Sequence, residues 1–299
     1  MRAFTAMADK GCTFAVLSGK GGTGKTLLSV NLAAAVPEAV YLDCDVEEPN
    51  GALFFKPTVT AEKAVAVKLP VIDAERCSAC RKCVDFCAFH ALAFAGERPF
   101  LFEEVCHSCG GCALICPEGA IAETDRIVGT VSSGRSGSVM VHTGRLRVGE
   151  ASGIPLIEAL LKKIPRSEKK NVFIDCPPGS ACAVMESIRD ADFCVLVAEP
   201  TVFGAHNFAM VYELVRLFDK PFGAVLNKCL PGENPSETFC RAHKIPILGR
   251  IPFDTELGTL SSEGKIAVRE SERFRTLFAG IAERIGKEAR HEADADSQR

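Results

Sequence analysis

The sequence predicts an α/β fold: a parallel sheet covered by helices on both faces and interrupted by one small inserted domain. Three observations carry this. Short apolar runs at 13–18, 40–43, 172–175, 193–198, 222–227 and 247–251 are each bounded by Gly, Pro or charged residues, as buried strands are. Helical patterns lie between several of them, for example 26–36 and 205–218, and strands alternating with helices make a parallel sheet. From about 72 to 125 that alternation stops, and eight of the fifteen cysteines gather there.

Composition bounds the rest. A chain of 299 residues suggests about two domains, and 47% hydrophobic against 24% charged residues supplies a real core. A net charge of −3, no Trp and two Tyr argue against a basic or base-stacking nucleic-acid binder, so no nucleic-acid partner is expected. The opening residues MRAFTAMADKG lack the pattern of a signal peptide, and no apolar run is long enough for stable membrane insertion. The expectation is a cytoplasmic, reduced protein whose cysteines are metal ligands or small core residues.

Gly19-Lys20-Gly21-Gly22-Thr23-Gly24-Lys25-Thr26 follows the first strand and opens the first helix, matching GxxxxGK[ST] in its required setting. Glycines let backbone N–H groups curl toward phosphate, and the helix N-terminus adds partial positive charge. Lys25 suits the β- and γ-phosphates of ATP, and the Thr26 hydroxyl suits Mg²⁺. Acids close two later strands: Asp43-Cys44-Asp45 follows Val-Tyr-Leu, and Asp175 follows Val-Phe-Ile. Carboxyl ends of parallel strands border the ligand crevice.

The second lysine, Lys20, makes the loop resemble the deviant-Walker P-loop ATPases: the MinD and ParA partitioning ATPases, Mrp-type iron–sulfur carriers and the nitrogenase iron protein. The resemblance implies that Lys20 reaches a partner's nucleotide across an ATP-dependent homodimer. It implies that Asp45 orients the attacking water, that Asp175 holds the Mg²⁺ shell with Thr26, and that Asp43 supports the same site. It also implies that Asn227 and the loop at Pro252 line the adenine pocket. Asn207 departs from the pattern, since relatives often carry an acid there.

Two cysteine runs share one spacing: Cys77, Cys80, Cys83 and Cys87, then Cys106, Cys109, Cys112 and Cys116, the last followed by Pro117. The insert resembles a bacterial ferredoxin with two 4Fe–4S clusters, an α+β module in which the fourth cysteine of each run serves the other cluster. That implies one cluster on Cys77, Cys80, Cys83 and Cys116, and a second on Cys106, Cys109, Cys112 and Cys87. The fourth cysteine is expected to open a helix that points away. Ala88 replaces the usual proline in the first run. Zinc is the competing use of thiolates, but eight of them in a double run favour iron–sulfur. Cys182, beyond Pro177-Pro178-Gly179, suits packing or a redox role, and the remaining cysteines suit packing.

The expected organisation is a discontinuous P-loop domain, 1–71 and 126–290, a ferredoxin-like insert, 72–125, and a disordered polar tail, 291–299. Apolar positions 274, 277, 278, 281 and 285 predict a final helix, packed on the sheet or lying on a membrane surface. The segment 142–153, HTGRLRVGEASG, resembles these relatives without an assigned role. The combined expectation is an ATPase whose nucleotide-dependent dimer gates electron transfer through two 4Fe–4S clusters, with a protein electron donor or acceptor as partner. The alternatives are an iron–sulfur carrier serving apoprotein clients and a MinD-like positioning ATPase.

Overall fold

A computed structural model describes residues 11–96, 98–165 and 169–296. Residues 1–10, the stretch expected to lack a signal-peptide pattern, and 297–299 lie outside the described residues. In chain order come β1 (Thr13–Leu17), α1 (Lys25–Ala35), β2 (Val40–Asp43), α2 (Gly51–Phe55) and the long β3 (Thr58–Ile72). Next are α3 (Lys82–Phe86), the hairpin β4 (Leu92–Ala95) and β5 (Arg98–Leu101), and α4 (Gly111–Ile115). The body resumes with β6 (Ile121–Ser136), β7 (Val139–Leu146), α5 (Ile154–Leu161), β8 (Val172–Asp175), α6 (Cys182–Ile188) and β9 (Phe193–Ala198). It closes with α7 (Val202–Leu217), β10 (Phe222–Cys229), α8 (Pro235–Ala242), β11 (Ile247–Pro252), α9 (Thr255–Ser262), α10 (Ala267–Glu270) and α11 (Glu272–Asp296).

Among the described residues, nine strands form one sheet in the order β11-β10-β9-β1-β8-β2-β7-β6-β3. From β11 through β7 every pairing is parallel. Each residue of β1 is buried, because alternate side chains enter opposite cores. Phe14 and Val16 pack with α1 and α11 residues such as Leu28, Leu32, Phe274 and Phe278. Ala15 and Leu17 face Leu156, Leu160, Val184 and Val211 of α5, α6 and α7.

The expectation of a wholly parallel sheet is corrected at one edge. β6 is antiparallel to β7, and β3 is antiparallel to β6. The short apolar runs missed these strands because β3 is mostly exposed. An antiparallel edge can face water and carry Thr, Glu and Lys, whereas parallel strands need cover on both faces. Register also moves the insert boundary. Ile72 pairs with Ile121 and Lys68 with Asp125, so 121–125 belong to a two-stranded arm. The arm carries residues 73–120 as a cysteine-rich lobe whose core, among the described residues, is the small cluster of Cys83, Leu92 and Ile121.

The tail reading is corrected too. α11 continues through Asp296, because Ala, Glu, Lys and Arg favour helix and no Gly or Pro interrupts 286–296 after Gly286. Phe274, Phe278, Ile281 and Ile285 are all buried against the sheet and α1. The apolar face needed for a membrane-surface helix is therefore already used. Among the described residues no helix is long and apolar enough to cross a membrane.

Candidate functional site

The loop between β1 and α1 wraps the mouth of a cavity of about 860 Å³ at the carboxyl end of the sheet. Gly21, Gly22, Gly24, Lys25, Thr26, Lys20 and Asp45 line one side; Asn227, Lys228, Pro252 and Phe253 line another. The sequence therefore brings the expected phosphate and base residues to one cavity, although 226 residues separate Thr26 from Pro252. Gly24 has φ +100, and a Cβ there would collide with the Asn227 amide. Asn227 Nδ2 donates to the Thr23 carbonyl at 2.8 Å, which ties β10 to the loop. We expect Gly24→Ala to cost roughly 1–2 kcal/mol from the left-handed backbone alone. Loss of the Asn227 tie should add a fall in nucleotide affinity, and a titration with wild-type affinity would refute this geometry. Gly19 is required for another reason: a Cβ would strike the Asn207 carbonyl of α7. The Asn207 side chain itself turns back to donate to Phe203 O at 2.7 Å, so no ion pair replaces the missing acid.

Lys25 is almost fully buried, and its ammonium donates to Asp175 Oδ1 at 2.8 Å and to Asp45 Oδ2 at 3.5 Å. Burial opposes its charge, but Asp175 and Asp45 outweigh that and raise its pKa above the ordinary lysine value. Asp175 also accepts a 2.9 Å hydrogen bond from the Tyr41 hydroxyl. Asp175 and Thr23 are not on the cavity wall. Asp175 lies behind Lys25, and the Thr23 hydroxyl donates to the Lys20 carbonyl at 3.1 Å, bracing the loop. Asp43 is fully buried and accepts from Gly51 N at 2.8 Å, leaving Oδ1 without a partner. Burial, then Asp175, pushes its carboxyl pKa well up, and burial raises Asp45 against the pull of Lys25.

Two carboxylates thus hold one ammonium, a third is buried close by, and one of its oxygens is unsatisfied. This donor set fits a divalent cation bound with a nucleotide, when Lys25 turns to phosphate and leaves the acids. Among the described residues no group of three or more His, Cys, Asp or Glu gathers closely enough to hold a single ion as it stands. For the carboxylates, the interposed Lys25 supplies the reason. Sequence reasoning missed Tyr41 and Glu199 and gave Lys228 no role, while Phe253 belongs to the expected Pro252 loop. Glu199 pairs with Lys20 at 2.5 Å, and Lys228 Nζ donates to Gly22 O at 2.7 Å. Only the position of Glu199 and Lys228 at strand ends could have pointed to them.

In the lobe, Cys77, Cys80, Cys83 and Cys116 line one cavity, and Cys87, Cys106, Cys109 and Cys112 line another of about 230 Å³. These are the two crossed sets. An offset of 29 residues relates the halves. Ala79 and Arg81 have positive φ, as do Ser108 and Gly110; His90 is matched by Gly119, and α3 by α4. Ala91 N donates to Cys87 Sγ and Ala120 N to Cys116 Sγ, each at 3.3 Å. Left-handed residues in such loops turn backbone N–H groups toward an anion. Holding four non-glycine residues there costs about 1–3 kcal/mol each, which needs a compensating ligand or packing. One expectation is corrected: Cys87 and Cys116 close α3 and α4 rather than open a helix. Cys83 and Cys112 already lie within those helices, so the short turn itself carries the fourth thiol to the opposite cavity. Burial raises the Cys83 thiol pKa and takes that of Cys112 to about 11, so a metal must displace protons to bind. Cys182 is exposed at the start of α6.

The unassigned segment 142–153 gains a physical setting. Val46, next to Asp45, packs where Cβ atoms on Gly144 and Gly153 would come within 2.7 and 2.5 Å of it. Leu146 N donates to Val46 O at 2.9 Å. The same segment contains Glu150, which Arg126 of β6 bonds at 2.7 Å, and Glu150 shares a cleft with Cys106, His107 and Ser108.

The fold and this cavity define a P-loop nucleotide-binding protein. The chain matches the family model described as CobQ/CobB/MinD/ParA nucleotide binding domain over residues 14–268 and belongs to that family. It is 32% identical over 281 residues to the uncharacterized protein MJ0578 of Methanocaldococcus jannaschii, covering 91% of this chain and 96% of that one. In fold it is similar to the cell division ATPase MinD of Pyrococcus furiosus, with TM-score 0.58 and 19% identity over 93% of this chain and 99% of that one. It is also similar to the septum site-determining protein MinD, complexed with Mg-ADP, of Pyrococcus horikoshii OT3: TM-score 0.57, 17% identity, 91% and 94% covered.

Proposed function

We propose that this protein is an ATP-hydrolysing switch that closes as a homodimer on Mg-ATP, and that the switch controls electron passage between the cysteine-rich lobe and a protein partner. The observation that carries the reading is one chain holding both a phosphate-loop cavity and two crossed four-cysteine cavities, joined through Val46 and the 142–153 segment. In this reading Gly21, Gly22 and Gly24 shape the loop around phosphate, and Lys25 turns from Asp175 and Asp45 to the β- and γ-phosphates. Freed of Lys25, Asp175 would hold Mg²⁺ with Thr26, while Asp45 would orient water. Asn227 and Pro252 would border the base. Cys77, Cys80, Cys83 and Cys116 would hold one 4Fe–4S cluster, and Cys106, Cys109, Cys112 and Cys87 the other. When bound, such clusters supply one-electron transfer. Because Val46 has no slack against Gly144 and Gly153, a shift of Asp45 reaches Glu150 and the cleft beside Cys106.

The family match and the MinD likeness support the nucleotide switch directly, and they favour a MinD-like positioning ATPase over the iron–sulfur reading. The lobe carries the iron–sulfur reading alone. Anaerobic purification decides between them: about eight irons per chain, with an EPR signal of the reduced protein that Mg-ATP changes, supports gating. Thiolates filled with zinc, together with ATP-dependent pelleting on anionic liposomes, would favour positioning. Delivery of iron to an apo-acceptor would favour a carrier.

A further inference from the structure

Lys20, the lysine that marks this loop, is held within its own chain. Its ammonium meets Glu199 Oε1 at 2.5 Å, just beyond β9. The Thr201 hydroxyl donates to the same oxygen at 3.1 Å, and Lys228 lies 3.5 Å from Oε2. Lys228 in turn donates to Gly22 O, while the hydroxyls of Ser18 and Thr23 donate to the Lys20 carbonyl at 2.9 and 3.1 Å. Lys20 is thereby fixed at both ends, its carbonyl by two hydroxyls and its ammonium by a largely buried carboxylate. Glu199 is 10% exposed and Lys20 36%, so the carboxylate is the more enclosed partner and the ammonium is the one with open space to leave into. Burial pushes the Glu199 carboxyl up, but Lys20, Thr201 and Lys228 together hold it below the ordinary value. It is therefore ionised throughout the neutral range.

We propose that Glu199 is a positioning residue that latches Lys20 onto its own chain, so that Lys20 reaches a nucleotide phosphate only by leaving Glu199. This rests on the dimer reading above, in which Lys20 serves the nucleotide of a second copy. A phosphate carries more negative charge than one carboxylate and accepts from the same ammonium, so it competes directly. Association then depends on the phosphate drawing Lys20 away, which a γ-phosphate in the dimer does and an empty site does not. Lys228 couples the latch to the loop, because it contacts both Glu199 and Gly22.

The test uses the full chain and two variants, Glu199→Gln and Glu199→Asp, each checked for wild-type thermal stability. Lysine acetylation followed by mass spectrometry reads the latch without nucleotide. Lys20 labelling should rise severalfold in Glu199→Gln, less in Glu199→Asp, with exposed Lys56 unchanged as the internal reference. Sedimentation with Mg-ATP or a non-hydrolysable analogue reads the consequence. The ATP concentration for half-maximal association should fall by roughly 3–10-fold in Glu199→Gln, about 1 kcal/mol at 1.4 kcal/mol per tenfold. Unchanged labelling overturns the latch. Faster labelling with weaker association also overturns it, since Glu199 would then be aligning Lys20 for the dimer. If the wild-type chain never associates with nucleotide, the dimer reading fails, and labelling still tells whether the pair exists.

Discussion

Lys25→Ala should abolish tight Mg-ATP binding, with an affinity loss of at least about 100-fold, roughly 2.7 kcal/mol, and should also destabilise the nucleotide-free protein. The second effect follows from the burial of the ion pair. Lys25 and Asp175 are 6% and 1% exposed, and Asp45 and the unsatisfied Asp43 crowd the same space. Removing one partner of a buried pair leaves an uncompensated charge, which typically costs about 3–5 kcal/mol. The variant should accordingly become pH-sensitive. Asp43 and Asp45 already have raised carboxyl pKa values in the folded chain, and losing the ammonium raises them further. The folded state then keeps protons that the unfolded chain releases near pH 4, so stability falls as pH rises from there through the folded values. The wild type gains the opposite contribution from Lys25. Its raised pKa stabilises the folded state at every pH below the ordinary lysine value, and that contribution is lost only as pH climbs through the folded one. Thermal melts from pH 4.5 to 8 should show the gap between variant and wild type widening. A variant equal to wild type at pH 8 would mean the pair carries no stability, and unchanged ATP titration would remove Lys25 from the phosphate site.

Paired cysteine replacements should give an iron count that depends on which cavity they share. Cys77→Ala with Cys116→Ala removes two ligands of one set and should leave about four irons per chain. Cys77→Ala with Cys106→Ala takes one ligand from each set and should leave close to none. Runs read without crossing would predict close to none for both variants, because Cys77 lies in a different run from Cys116 as well as from Cys106. The expected ratio follows from the crossed lining of the two cavities. Loss of both clusters should also unfold the lobe, since a core of Cys83, Leu92 and Ile121 cannot stabilise 48 residues, 73–120, by itself. Limited proteolysis should then cut within 73–120 while the body keeps its melting temperature. Equal iron in the two double variants would reject the crossed assignment.

Local patterns in this chain announced the parts whose chemistry is local. The phosphate loop needs consecutive residues, so 19–26 could be read directly, and the positions of β1 and α1 followed. The eight thiols were visible because their spacing is a property of one short turn. The buried parallel strands were visible because cover on both faces makes them continuously apolar. By contrast, β3 and β6 stayed hidden, since an exposed antiparallel edge has no continuous apolar run. Glu199 and Lys228 stayed hidden for another reason. Their partners Lys20 and Gly22 lie about 180–206 residues away in sequence, and only the parallel order β10-β9-β1 brings those strand ends together.

The sequence alone determined which residues could bind phosphate and which thiols could bind metal, because residue type and short spacing decide those capacities. Tertiary structure alone decided that Asp175 sits behind Lys25, that Lys20 folds onto Glu199, and that Val46 is wedged between Gly144 and Gly153. Those are contacts between distant strand ends, and strand order and close packing choose them rather than any local preference of the chain.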